Sequence, residues 1–409
     1  MQSTKTFLLY LCLFILPTSI LSAQALQTEA AGMSAERLQR YDDYLQKQID
    51  EGNLAGAVSM VMRKGKLAHA QSFGQSNATE DTPMGMDQIF FIQSMTKPII
   101  SAAIMMLYEE GHFMLNDPVQ RYLPQFKDIK VALDPENGKD GETEELKSPI
   151  RIAHLLSHTS GLSHGLGRSK LDQDYFRTLY FMPHKSIEDR INAMTKLPLY
   201  GQPGEQWYYS ASPDVLSLLV EHFSGMTTAE FLQKRIFEPL DMKDTGYNIP
   251  KEDQGRMAML HTKNKEGDLI LSPRQTPMEG NLVFAGANGL FSTAGDYMKF
   301  CQMIMNGGQA NGTQFLSPKT IELMAQNHVG DLYQAPGEGF GLGFAVVEDI
   351  ADLGMASSVG QLSWSGAYCT FFFIDPAEEM VAILMTQTAP YNGFWGRKMR
   401  QFIYQAIVD

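Results

Sequence analysis

Apolar positions are not spread evenly along the chain, and their spacing predicts its elements. From Met33 to Glu51 they recur at helical intervals, with Leu38, Tyr41, Leu45 and Ile49 on one face. Ala55 to Met62 reads as a strand, Arg63-Lys64-Gly65-Lys66 as a tight turn, and Leu67 to Phe73 as the returning strand. The short aromatic run Ile89-Phe90-Phe91-Ile92 comes next. It is followed by Ile99 to Leu107, nearly all apolar and of helical length. A helix that is apolar all round is buried. Pro98 is tolerated only in a first turn, so this helix begins just before it. Residues 134–149 form a polar excursion, expected as a surface loop.

From about residue 117 to 285 the pattern is mostly helical. Ile150–His158, Ser186–Lys196, Pro213–Ser224 and Thr228–Phe237 are separated by Gly- and Pro-rich turns. After Gly286 come helices at Ala294–Asn306 and Pro318–Gln326. Strands are then expected at Phe340–Val347, Gln361–Asp375 and Met380–Gln387, and a closing helix at Trp395–Val408. Strands at both ends with helices between predict an α+β fold. The sheet is built from residues of about 30–116 and 286–409, with a helical part of about 117–285 inserted.

Residues 1–25 read as a secretory signal peptide. Lys5 provides the positive end, Phe7 to Leu21 the apolar stretch interrupted by Pro17, and Ala23-Gln24-Ala25 the small-residue cleavage site. The stretch is short for a membrane span. A secreted mature protein of residues 26–409 is expected, in a bacterial periplasm or outside the cell, with no stable membrane span after cleavage. The composition, 44% hydrophobic and 19% charged over 409 residues, is that of a globular protein. A net charge of −13 without any basic tract argues against a nucleic-acid partner. Cys12 lies in the leader. Cys301 and Cys369 each lie in an apolar stretch, which suits buried free thiols better than a disulfide. No metal-type cluster is present, and no cofactor is called for.

The candidate chemistry starts at Ser94-Met95-Thr96-Lys97. Positions i and i+3 of a helix share a face. A lysine amine kept neutral by burial can take a serine proton. The bland alternative, a solvated first helical turn, fits poorly with the apolar helix that follows. Ser94 at that N-terminus would also place unpaired N–H groups beside a developing oxyanion. A second motif, Gly161-Leu162-Ser163-His164-Gly165, has the G-x-S-x-G pattern but lacks the strand before it and the helix after it. Ser163 is therefore read as a loop residue. His154 and His158 have a zinc-type spacing without a third ligand, and are read as ordinary polar residues near a domain junction. Tyr209, in an aromatic cluster after the turn Gly201-Gln202-Pro203-Gly204, is a candidate proton relay whose phenolate a cationic lysine would favour. Glycine in Leu362-Ser363-Trp364-Ser365-Gly366-Ala367-Tyr368, at the start of an expected long strand, marks close approach of a backbone or ligand.

Taken together, five segments resemble the serine β-lactamase and penicillin-binding-protein superfamily. They point to its class C β-lactamase-like branch, which contains the family VIII carboxylesterases and D,D-peptidase-like hydrolases. The segments are Phe91 to Lys97, Ile152 to Leu162, Gly204 to Ser210, Phe237 to Thr245 and Gly289 to Asp296. The resemblance covers roughly residues 35 to 409. It implies a β-lactamase/transpeptidase-like antiparallel sheet flanked by helices. It also implies Ser94 as acylated nucleophile, Lys97 as its base partner and Tyr209 as proton relay. Trp364, Ser365 and Gly366 would be the substrate-binding strand, and the N–H groups of Ser94 and Ala367 the oxyanion hole. Two positions depart from the family pattern. Ala211 stands where Tyr-x-Asn has its asparagine, and Trp364 where Lys-Thr-Gly has its lysine. Both changes weaken recognition of an anionic β-lactam. The expected activity is a serine carboxylesterase acting on small acyl esters. A class C-like β-lactamase or D,D-peptidase acting on a lactam or peptide is the neighbouring reading, and a non-catalytic binding module of the same fold the more distant one.

Overall fold

The computed structural model describes residues 27–409; the leader read at residues 1–25 lies outside them. Helix α1 (Ala35–Asp50) starts at Ser34, whose hydroxyl accepts the Arg37 N–H, and buries Leu38, Tyr41 and Leu45. Strands β1 (Gly56–Arg63) and β2 (Lys66–Asn77) follow. Lys64 and Gly65 join them with φ of 51° and 69°, the double positive φ of a primed hairpin turn. β3 (Thr82–Pro83) closes this edge. The other strands come from the chain's far end: β4 (Glu338–Phe340), β5 (Ala345–Val347), β6 (Leu362–Gly366), β7 (Thr370–Asp375) and β8 (Met380–Met385).

The eight strands run in the order β4-β5-β6-β7-β8-β1-β2-β3, every neighbour antiparallel. β1 pairs with β8 from Val58↔Met385 to Arg63↔Met380, so the sheet is built from both ends of the chain, as expected. β8 shows why it reads as one continuous apolar run. Val381, Ile383 and Met385 enter the large core on one face, while Met380, Ala382 and Leu384 pack on the other face with α1. The last helix of the set, Phe394–Tyr404, covers that second face together with α1.

Two expected strands are hairpins. Phe340–Val347 splits into β4 and β5 around Gly343, whose φ is 99°. Gln361–Asp375 splits into β6 and β7, because Cys369 takes φ of 62° and its N–H closes the turn on the Gly366 carbonyl at 3.1 Å. Leu342, Phe344 and Cys369 are buried in these turns, so apolar content hides the breaks. The polar excursion is also more ordered than a loop. A 3-10 helix at Pro135–Asp140 precedes a strand, Thr143–Glu144, paired with Val131–Ala132. Cys301 and Cys369 are both buried free thiols. Among the described residues, no helix is long and apolar enough to cross a membrane.

On the large-core face, helix α2 (Thr96–Glu109) is buried continuously from Thr96 to Leu107. The 3-10 turn Gln93–Met95 leads into it and carries Ser94. That turn is anchored from several sides. The Ile92 N–H donates to Leu290 O at 3.0 Å, and the Tyr297 hydroxyl to Met95 O at 2.9 Å. The end of β6 presses against the same turn: a Cβ on Gly366 would lie 2.4 Å from the Ile92 carbonyl oxygen and 2.3 Å from Thr370 Oγ1. Gly366→Ala should therefore cost about 1–3 kcal/mol through overpacking and push β6 away from Ser94. A denaturant melt together with the rate at which a fluorophosphonate labels Ser94 checks this; unchanged stability and rate would contradict it.

Candidate active site

Ser94 receives hydrogen-bonding partners from two distant parts of the chain. Lys97 Nζ lies 3.1 Å from Ser94 Oγ, one turn further along α2. The Tyr209 hydroxyl donates to Ser94 Oγ at 2.8 Å. Lys97 Nζ also sits 4.5 Å from the centre of the Tyr209 ring. Hydroxyl, amine and phenol thus form one cluster.

Tyr209 is held by what surrounds it. Ser212 starts helix α6 (Ser212–Ser224), and the Ser210 hydroxyl bonds Ser212 Oγ at 2.7 Å and His158 Nδ1 at 2.9 Å. The Ser210 N–H also donates to His158 Nδ1, which places the ring proton of neutral His158 on Nε2. His158 is not on a shared helix face with His154. Helix α3 (Ile152–Leu156) ends before it, and His158 takes φ of 58°. The expected helix to residue 158 is shortened for that reason. His158 is buried against Phe340, Trp207 and Tyr209 and braces the tyrosine segment. His154 accepts the Arg151 N–H through Nδ1. Among the described residues, no three His, Cys, Asp or Glu side chains come together as a metal site.

Burial sets the protonation states. Lys97 is 1% exposed, and burial lowers its pKa to about 7, with Asp214 opposing and Arg190 reinforcing that shift. A substantial fraction of the amine is therefore neutral near pH 7, and a neutral amine is a base. Tyr209 goes the other way: burial pushes its phenol up, against the smaller effect of the Ser94 contact. The expected phenolate beside a cationic lysine is not what this geometry favours. The burial that discharges the lysine also keeps the phenol protonated. Tyr209 is placed to donate a proton to Ser94 Oγ, and Lys97 to accept one.

The strand residues divide. Trp364 faces the cluster, with its ring 5.5 Å from Tyr209 and 5.2 Å from Phe340. Trp207 and Tyr333 extend this aromatic wall. Ser365 is turned the other way by strand alternation, and its hydroxyl meets the Tyr391 hydroxyl at 3.0 Å. Ala367 opens the β6–β7 turn directly after Gly366, so the contact of Gly366 with Ile92 O brings this strand end alongside the Ser94 turn.

Ser163 lies in a loop and is fully buried. Its hydroxyl donates to Asp172 Oδ1 at 2.6 Å and accepts the Gly165 N–H. The helix that follows it, α4 (Lys170–Tyr180), was missed by the sequence reading. So was the support around Lys97. Its Nζ donates to Ala287 O at 2.7 Å, and the Ala287 N–H donates to Asp214 Oδ1 at 2.7 Å. Asp214 pairs in turn with Arg190, 3.2 Å away on helix α5 (Ile187–Met194), both buried. One signal was available: Asp214 is an acid inside the apolar run of α6. His164, 3.5 Å from Lys97 Nζ, gave no such signal.

Residues 41–401 match the protein family described as Beta-lactamase. Protein Rv1367c of Mycobacterium tuberculosis (strain ATCC 25618 / H37Rv) is 32% identical over 363 residues, covering 85% of this chain and 89% of its own length. Esterase EstB of Burkholderia gladioli is 30% identical over 398 residues, covering 92% and 95%. A solved structure described as "EstCE1, a hydrolase with promiscuous acyltransferase activity" has the same fold. Its TM-score is 0.78 at 24% identity, over 95% of this chain and 100% of that one.

Lys97 becomes available as a base only as it loses its proton. Reaction of Ser94 with a fluorophosphonate should therefore be slow in acid and rise through one limb with a midpoint near 7. A rate that stays flat down to about pH 5 would contradict that assignment.

Proposed function

The chain belongs to the beta-lactamase family, and on that footing we propose that it is a serine carboxylesterase cleaving small, neutral or apolar acyl esters through an acyl-enzyme on Ser94. The carrying observation is the Ser94 hydroxyl held between the Lys97 amine and the Tyr209 phenol. The family's esterase and acyltransferase-type members, EstB among them, support the class of reaction. The specificity reading rests on Trp364, which puts an aromatic ring where a lysine would attract a carboxylate, and on Ala211, which removes an amide.

In the proposed cycle the Ser94 proton passes to Lys97 as Oγ attacks the ester carbonyl carbon. The N–H groups of Ser94 and Ala367 take the oxyanion. Collapse breaks the bond to the alcohol oxygen, and Tyr209 gives that oxygen its proton. The Lys97 ammonium then restores the Tyr209 proton. Water then repeats the sequence: its proton passes to Lys97 as its oxygen attacks the acyl carbon, the bond to Ser94 Oγ breaks, Oγ takes its proton from Tyr209, and the Lys97 ammonium again restores the Tyr209 proton. An alcohol in place of water would give acyl transfer, the reaction named in the EstCE1 description. No cofactor enters this cycle. We place the mature enzyme outside the cytoplasm, on the leader read at residues 1–25.

A panel of short-chain nitrophenyl esters and nitrocefin, run on one preparation, tests this. Ester turnover should dominate, and Ser94→Ala should remove it by at least about 10³-fold. Nitrocefin turnover rivalling ester turnover would favour the β-lactamase reading. Ester turnover unchanged in Ser94→Ala would end the serine mechanism.

A further inference from the structure

We propose that His164 is a positioning residue for Lys97: its Nε2 takes one N–H of the neutral amine and so turns the amine lone pair toward Ser94. This inference rests on the serine-esterase reading of the site and adds a residue to it.

A neutral lysine amine has two N–H groups and one lone pair. Three polar atoms surround Lys97 Nζ: Ala287 O at 2.7 Å, Ser94 Oγ at 3.1 Å and His164 Nε2 at 3.5 Å. A carbonyl oxygen can only accept. If Ser94 is to lose its proton to the amine, the lone pair must face Ser94. The second N–H then has one partner left, His164 Nε2, and that nitrogen must be unprotonated. The His164 proton therefore sits on Nδ1, which faces the Tyr180 oxygen at 2.6 Å. The other tautomer would aim an N–H at the lone pair and remove the base.

The surroundings hold this arrangement. His164 is buried, and burial with the nearby Lys97 charge keeps the ring neutral. The imidazole lies between two phenol rings, 5.2 Å from Tyr209 at 24° and 5.8 Å from Tyr180 at 13°. Its neighbour Gly165, at φ of 77°, packs so closely on α4 that a Cβ there would lie 2.4 Å from Phe176 N, which seats the loop against that helix. The segment after Tyr209 offers no substitute: Ala211 has no polar side chain, and the Ser210 and Ser212 hydroxyls are engaged with each other, His158 and Ser160. The contact at 3.5 Å is at the outer limit of hydrogen bonding, and catalytic contacts often tighten only with substrate bound. The titratable and charged groups facing this pair are Tyr209, Tyr180, His158, Arg190 and Asp214.

The test compares wild type with His164→Gln, which keeps an acceptor near the Nε2 position, and with His164→Phe and His164→Met, which do not. The readouts are fluorophosphonate inactivation rate against pH, kcat and KM on a short nitrophenyl ester, and the melting temperature. Phe and Met should lower the plateau inactivation rate and kcat by about 10- to 100-fold with KM little changed. Their acid limb should move to lower pH, because an acceptor facing an ammonium favours the charged form and is now gone. Gln should recover most of the loss. If Phe does not fold, Met and Gln carry the comparison. Wild-type rates and limb in Phe or Met overturn the proposal, as does Gln no faster than Phe or Met. A loss that follows melting temperature without moving the limb also overturns it. Wild type that reacts while the variants are unaffected sinks this inference alone; wild type that never reacts with the probe sinks the esterase reading and this inference with it.

Discussion

The burial of a single amine organises this molecule's chemistry. A lysine at the start of an exposed helix keeps its proton to high pH and cannot act as a base. Lys97 sits under the Tyr209 ring, capped by the Ala287 carbonyl, at the head of a helix buried along twelve successive positions from Thr96 to Leu107. Removing water from that pocket makes the charged amine costly, and the group discharges near neutral pH. The same dryness keeps the Tyr209 phenol protonated. One physical constraint thus assigns opposite tasks to two side chains that both touch Ser94.

A dry pocket of this kind must be closed by backbone, and the fold supplies it from segments far apart in sequence. The Ser94 turn is pinned by Leu290 and Tyr297 on one side and by the end of β6 on the other. Tyr209 arrives on the segment that starts α6 and is braced by His158 through Ser210. The Ala287 peptide that caps Lys97 is itself fixed by Asp214, which Arg190 pairs. Charged residues this deep are costly unless paired. Here the pair lies one peptide away from the amine, where Asp214 stabilises the ammonium and Arg190 counters it. Their opposed effects leave burial as the dominant influence.

Much of this was legible before the fold was known, and the reasons differ by element. The Ser94 helix announced itself through Pro98 and the apolar run behind it, because a proline and a buried helix leave little choice of start. The sheet from both termini followed from β-branched and aromatic runs at each end. What escaped was geometry that apolar content conceals. The β6–β7 hairpin looked like one strand because its turn is built from Ala367, Tyr368 and a buried Cys369 rather than from polar turn residues. The helix at Ile152–Leu156 looked longer because His158 bends the chain without a glycine or proline. His164 belongs to a serine motif with no strand before it and a loop, Leu166 to Ser169, between it and the next helix, so the pattern points to no nucleophile elbow. Its place beside Lys97 depends on a loop folded over α4, and periodicity carries no information about that.

The central claim is that Lys97 is discharged near neutral pH inside the folded protein. Its ε-carbon can be followed by NMR in protein labelled with ¹³C-lysine, with the signal assigned by its loss in Lys97→Met, over about pH 5 to 11. The Lys97 ε-carbon should titrate with a midpoint near 7. A Lys97 signal that keeps its charge to above about pH 10 would contradict it.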